Sequence, residues 1–169
     1  MTVQAKRFYL LLGLIVLAGL AVRLGYAVFY KWDQVPWGDA LYYHGQANGI
    51  VDGKGFINGF IYEVQDVVEI AADHPPLYPL YLAGWTLFGA RTFHAHMIAS
   101  VLLGALTPGV LGLLGRRVAG DRAGLVAAAI AAVYANLWVH DALVTSETIT
   151  ALMVAVAVLM AYRLYAALN

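Results

Sequence analysis

The sequence predicts an all-α membrane protein of about four transmembrane helices, with a structured extracytoplasmic loop that carries interfacial helices. Three observations lead there. Of the 169 residues, 62% are hydrophobic and only 12% charged, whereas soluble domains run at about 45–50% apolar and about 25% charged. Apolar stretches close to the ~20 residues that cross a hydrocarbon core recur along the chain. Basic residues gather in the segments that fall on one side of such spans, and acidic residues in the segments that fall on the other.

The first span covers about 8–30, "FYLLLGLIVLAGLAVRLGYAVFY". Lys6 and Arg7 precede it, as in a signal peptide. The apolar core of a signal peptide is only about 7–15 residues, and no small-residue cleavage site follows Tyr30, so the segment reads as a retained helix. Arg23 inside it either snorkels to the nearer interface or faces the protein interior. The second span, about 93–114, contains Pro108, which should kink it and free a carbonyl. The third, about 123–139, is rich in Ala, and the fourth covers about 148–167. Gly104, Gly109, Gly112 and Gly115 permit the close backbone approach by which helices associate in lipid.

Four crossings put Lys6, Arg7, Arg116, Arg117, Arg122 and Arg163 on one side, which positive charge marks as cytoplasmic. Both termini are then cytoplasmic in a multi-pass protein of the cell membrane. The loop 31–92 lies outside, with Asp33, Asp39, Asp52, Glu63, Asp66, Glu69 and Asp73 against few bases. The formal net charge of zero conceals this division. No basic surface suggests a nucleic-acid partner. Cysteine is absent, so no disulfide framework exists. No repeat or linker divides the chain, and 1–169 reads as a single membrane module.

The outer loop has element signals of its own. In "GDALYYHGQANGIVDG", Leu41, His44, Ala47 and Val51 fall on one helical stripe that stops at Asp52-Gly53. Asn58-Gly59, flanked by β-branched residues, predicts a short hairpin. A helix is expected from near Pro75. Its dozen apolar residues suit an interfacial helix better than a span, with Tyr78, Tyr81 and Trp85 at headgroup level.

Asp39 sits a few residues beyond the first span, where Trp32, Pro36 and Trp37 can anchor the chain at headgroup level. A carboxylate so placed can act as a general base toward a group met at the interface. Structural roles compete with chemical ones: Asp39 as the N-cap of the following helix, Asp73 as a cap ahead of Pro75, and Glu147 as a complement to a helix N-terminus. His44 is close to Asp39 in sequence, but spacing does not show that the two meet. His94 and His96, two residues apart, do not share a helix face and suit an interface better than zinc. His140-Asp141, at an outer helix end, is either structural or substrate-facing. Lys54 and Arg91 are outer-side cations, able to meet a phosphate or remain solvated.

One span, an acidic loop opening on Gly-Asp, the "HPPLYP" segment and "LGRRVAGDRAGLVAAAIAAVYANLWVHDALVTSETI" follow one another along nearly the whole chain. This series resembles the amino-terminal module of GT-C class membrane glycosyltransferases, in particular the protein-mannosyltransferase and aminoarabinose-transferase group. The resemblance implies transfer of a sugar from a polyprenyl-phosphate carrier to an acceptor hydroxyl, at the outer membrane face and with inversion. It implies that Asp39 is the catalytic base. It also implies that His74, where aminoarabinose transferases carry a Lys, lies near the carrier phosphate, and that Glu147 is an acidic substrate-side position. His44, Lys54 and Arg91 complete the candidate substrate-binding set. As a histidine, His74 is cationic only part of the time, its reference pKa being about 6.5. Ala40 stands where many relatives carry Glu after the Asp, which weakens the case for a divalent metal held by paired acids, and no metal ligands are assigned.

Members of that class have more spans, so four spans read as a fragment or reduced form that further transmembrane segments or a partner subunit would complete. The competing reading is a non-catalytic membrane scaffold or subunit that keeps this module. A small transporter would want ionisable residues deep in several spans, and only Arg23 qualifies.

Overall fold

The computed structural model describes residues 3–168. It is nearly all helical: α1 (Val3–Tyr26), α2 (Asp39–Val51), α3 (Gly59–Gln65), α4 (Leu77–Leu87), α5 (Phe93–Gly104), α6 (Leu106–Val133), α7 (Ala135–Trp138) and α8 (Glu147–Leu168). A π-helical turn, Ala27–Lys31, extends α1, and a 3₁₀ turn, His140–Leu143, precedes α8. Among the described residues no strand forms, and the only β feature is an isolated bridge between Ile57 and Ile70.

Three segments are long and apolar enough to cross a membrane: Val3–Lys31, Phe93–Val133 and Glu147–Leu168. Their outward faces carry the apolar residues that lipid would cover, among them Leu10, Leu14 and Leu17 on α1 and Met153 and Val154 on α8. The second and third spans expected from sequence belong to one 41-residue segment. A straight helix of that length would be about 62 Å long, twice a hydrocarbon core. It does not run straight. Ala119 and Gly120 have non-helical backbone angles (Gly120 φ 85°), and the 121–133 limb packs beside the 106–118 limb. The approach is so close that a Cβ on Gly124 would lie 2.5 Å from the Gly112 carbonyl oxygen. The basic connection expected over 115–124 is therefore a tight reversal flanked by helix. Arg116 bonds Asp121 across it at 2.7 Å.

The apolar limb ends earlier than expected. Tyr134 is extended (φ −71°, ψ 110°), so the stretch to Val139 is a broken helix. The break near Pro108 falls at Ala105, one residue beyond Gly104, where α5 ends and α6 begins.

The hairpin expected at Asn58-Gly59 does not form. The Asn58 side chain accepts a hydrogen bond from the Ile61 backbone N–H at 3.1 Å and caps α3. Local side-chain capping thus satisfies the backbone in place of a ladder. The helix expected from near Pro75 begins at Leu77 as α4, without a side-chain cap from Asp73. At 11 residues it is about 16 Å long, too short to span.

α2, α3 and α4 pack together at the end of the bundle where α1 finishes and α5 begins. Their common core holds Tyr42, Tyr43, Tyr78, Leu82, Met97, Val101 and Val144. A smaller apolar cluster, Phe8, Leu12 and Ala128, joins α1 to the 121–133 limb.

Arg23 faces the interior and is fully buried. Its Nε donates to Asp141 Oδ2 at 2.7 Å, and its Nη1 donates to the carbonyls of Gly19 and Ala132 at 3.1 Å each. Asp141 lies against Gly104, where a Cβ would be only 2.2 Å from either carboxylate oxygen. Asp141 also bonds the Thr148 side chain. One ion pair thus ties α1, α5, α6 and the start of α8.

Candidate active site

Gly38 opens the site. Its backbone (φ 59°, ψ −129°) lies where an L side chain is strained, and it lets the chain turn abruptly into α2. Gly38, not Asp39, occupies the N-cap position, and no side chain caps this helix. The capping role open to Asp39 in sequence is therefore not the one it plays. Asp39 is the first helical residue, and its side chain is 60% exposed.

His74 meets it there. His74 Nε2 lies 3.3 Å from Asp39 Oδ1, and its Nδ1 is buried without a hydrogen-bond partner. The imidazole is held by rings: Tyr42 lies 4.2 Å away, centroid to centroid, and Tyr43 lies 5.2 Å away, edge-on. Trp37, Gly38, Asp39, Tyr42, Asn58, Phe60, Asp73 and His74 line an open cavity of about 290 Å³. Trp37 and Phe60 form its aromatic rim, with centroids 5.0 Å apart.

Glu147 is exposed at the first turn of α8 and is not part of that lining. Tyr43 links the two places. It hydrogen-bonds Ser146 and lies within electrostatic reach of both Asp39 and Glu147. Burial raises the Tyr43 phenol, and the two carboxylates add to the effect. Tyr43 therefore stays protonated at neutral pH, with its hydroxyl engaged by Ser146.

The remaining candidates lie elsewhere. Lys54 bonds the Tyr62 hydroxyl, and Arg91 pairs with Asp52 at 2.7 Å. Lys54 and Asp52 follow the C-terminal end of α2, a helix of 13 residues or about 20 Å, so both cations are spent at the far end from Asp39. His44 faces inward. Its Nδ1 lies 2.9 Å from His96 Nδ1, and His96 Nε2 lies 2.8 Å from Thr86 Oγ1. Thr86 donates to Asn48 Oδ1 at 3.2 Å, and Asn48 donates to the Arg91 carbonyl at 3.1 Å. His44, His96, Thr86 and Asn48 thus form a buried polar lattice joining α2, α4 and α5. Among the described residues no three His, Asp or Glu side chains group to hold a metal ion.

The lattice has a pH signature. Burial pushes the His44 imidazole down to about 4, and this outweighs Glu63, whose carboxylate is 3.9 Å away. A folded-state value below the unfolded value of about 6.5 means that protonation favours unfolding. The stability is whole above about 6.5 and is lost as pH falls from there through about 4, by about 3 kcal/mol at most. Unfolding followed against pH in detergent should show this slope, and His44→Gln should make it shallower between pH 6.5 and 5. An unaltered slope in that variant would place the acid sensitivity elsewhere.

Spacing along the chain does not announce the His44–His96 pair, whose members are 52 residues apart. It is equally silent on Tyr43, which in sequence is one of three consecutive aromatic or imidazole side chains. The profile of the dolichyl-phosphate-mannose-protein mannosyltransferase family matches residues 73–169. The match takes in His74, Arg91 and Glu147 and begins after Asp39, His44 and Lys54. No curated protein and no solved structure matches the chain. The family profile covers more than half of the sequence, including two of the three membrane-length segments. The chain belongs to the dolichyl-phosphate-mannose-protein mannosyltransferase family.

Proposed function

We propose that this chain forms the acceptor-activating side of a glycosyltransferase that moves a sugar from a polyprenyl-phosphate carrier to a hydroxyl, inverting the anomeric centre. The observation that carries the reading is the Asp39–His74 contact of 3.3 Å at the mouth of an aromatic-rimmed cavity. Asp39 is the base. Its exposed carboxylate takes the hydroxyl proton as the oxygen attacks. His74 orients that carboxylate and, when protonated, offers positive charge beside the departing phosphate. Trp37 and Phe60 suit the apolar face of a sugar ring or the first isoprene unit. Tyr43 backs the His74 ring from within and lies within electrostatic reach of Asp39 and Glu147. No step requires Lys54 or Arg91, which are paired at the other end of α2.

The membrane arrangement belongs to the same proposal. In this reading the chain crosses once before the reversal at Ala119 and Gly120 and once after it, the second crossing being completed by the broken helix that runs on to Val139, which gives four in all. The loop 31–92 is outside, with α2, α3 and α4 at headgroup depth, and both termini are cytoplasmic. A carrier whose phosphate sits at the interface then meets Asp39 at its own depth.

One experiment addresses donor and sidedness together. Sealed vesicles carrying the chain in its full reading frame receive labelled polyprenyl-phosphate sugar, and label is followed into acceptor while polyprenyl phosphate is released. Gly53→Cys adds a thiol to a stretch that has none of its own and should react with an impermeant reagent from the side on which transfer occurs. Transfer from a nucleotide sugar alone would overturn the donor, and labelling from the opposite side would overturn the topology.

A further inference from the structure

The opposite end of the bundle carries a second cavity, unconnected with the proposed chemistry. It has a volume of about 400 Å³ and is lined by Tyr9 of α1, Leu113, Arg116 and Arg117 of α6, and Leu159 and Arg163 of α8. Three guanidinium groups and no carboxylate line it.

The three are not equivalent. Arg116 is already engaged, bonded to Asp121 at 2.7 Å and stacked over the Phe8 ring at 4.2 Å and the Tyr9 ring at 5.1 Å. It serves as a wall. Arg117 and Arg163 are exposed and make no hydrogen bond or ion pair with any described residue. Each stands four residues after a cavity-lining leucine, Leu113 in one helix and Leu159 in the other. That spacing stacks each arginine one turn beyond its leucine on the same helix face. The cavity is thus apolar toward the bundle centre and cationic toward the helix ends.

The depth is that of an interface. Tyr9, Tyr162 and Tyr165 are exposed on α1 and α8 around this level, where amphipathic rings collect at the membrane boundary. A pocket between spans that changes from leucine to arginine along the membrane normal matches a molecule that changes from acyl chain to phosphate along the same direction.

We propose that this cavity binds the headgroup of an anionic glycerophospholipid, its phosphate between Arg117 and Arg163 and the start of its acyl chains against Leu113 and Leu159. Arg116 is held in place by Asp121 and the two rings, so it shapes the site and adds charge without having to be ordered on binding. The lipid would bridge α6 to α8 at an end where the described residues provide no direct ion pair between these helices.

The test is native mass spectrometry of the full chain released from bilayers of equimolar phosphatidylglycerol and phosphatidylcholine. The wild type is expected to retain phosphatidylglycerol in clear preference. Arg117→Gln/Arg163→Gln should reduce that preference about thirtyfold, from the usual worth of two basic residues at an anionic surface. Arg117→Lys/Arg163→Lys should keep most of it. An unchanged melting temperature of the Gln variant in phosphatidylcholine alone shows that the site, and not the fold, was lost. Equal retention of the two lipids by the wild type overturns the proposal without any variant having to fold. Full preference in a folded Gln variant overturns it too. Displacement of the lipid by inorganic phosphate, with phosphate then found bound in its place, would mark a free-anion site and refute the lipid assignment.

Discussion

Asp39→Asn is expected to lower sugar transfer by about two to four orders of magnitude, the usual worth of a positioned acid or base. The amide keeps the size and most of the hydrogen bonding of the carboxylate and removes its basicity. Stability should barely change, because Asp39 caps no helix and its side chain is largely exposed. The contact with His74 at 3.3 Å can persist through the amide oxygen. Donor binding, read as KM for the polyprenyl-phosphate sugar, should stay near the wild-type value while kcat falls, since proton removal belongs to the transition state. Transfer must be measured in the full reading frame, with insertion confirmed. Full activity of Asp39→Asn under those conditions would refute Asp39 as the base.

The second large effect concerns the buried ion pair. Arg23→Met keeps much of the apolar stem and removes the charge, leaving the Asp141 carboxylate without its main partner. Breaking a buried pair in this way costs about 3–5 kcal/mol. Asp141→Asn in the same chain should recover most of the loss, because the orphaned charge is then gone and the amide can still bond Thr148. The defect also has a pH sign. Burial pushes Asp141 up to about 6 even with Arg23 pulling it down. Without Arg23 the carboxyl titrates still higher. A raised folded-state value means that the protonated form is the one the fold tolerates, so the Arg23→Met defect should shrink as pH falls and grow as it rises. Unfolding in detergent at pH 5 and pH 8 measures this. A defect that is independent of pH and unrelieved by Asp141→Asn would point to lost packing instead.

Much of the scaffold was legible in the residues because its signals are local. The helix over Asp39–Val51 has its start at Gly38 and its stop at Asp52-Gly53 written beside it. The membrane-length segments are plain from apolar run length. What failed was competition between local solutions. Asn58-Gly59 is a turn signal, but the Asn58 side chain satisfies a helix start just as well, and α3 formed. Arg23 could not be assigned from its own helix, because its partner is 118 residues away. Lys54 and Arg91 read as free outer cations only until Tyr62 and Asp52 come into contact with them. Asp39 and His74, 35 residues apart, were linked by family resemblance and by chemistry, and no spacing rule would have joined them.

The Arg23–Asp141 pair also imposes an order on biogenesis. The helix bearing Arg23 emerges from the ribosome first, and its counter-ion follows 118 residues later. At about 5–20 residues per second that interval is roughly 6–24 s. Throughout it the first span holds an unpaired arginine, a residue that costs about 2.5–3.5 kcal/mol at the centre of a membrane helix and less toward its ends. Early insertion is then provisional, with the helix shifted toward the interface or sheltered by the insertion machinery, and it becomes final when Asp141 arrives. Nascent chains halted before residue 141 should leave the first span more readily extracted by alkali than chains halted after it. The turn that bears Asp141 would therefore act as a latch for the helix that bears Arg23, and a lesion in that turn would surface as a failure of that distant helix to stay integrated.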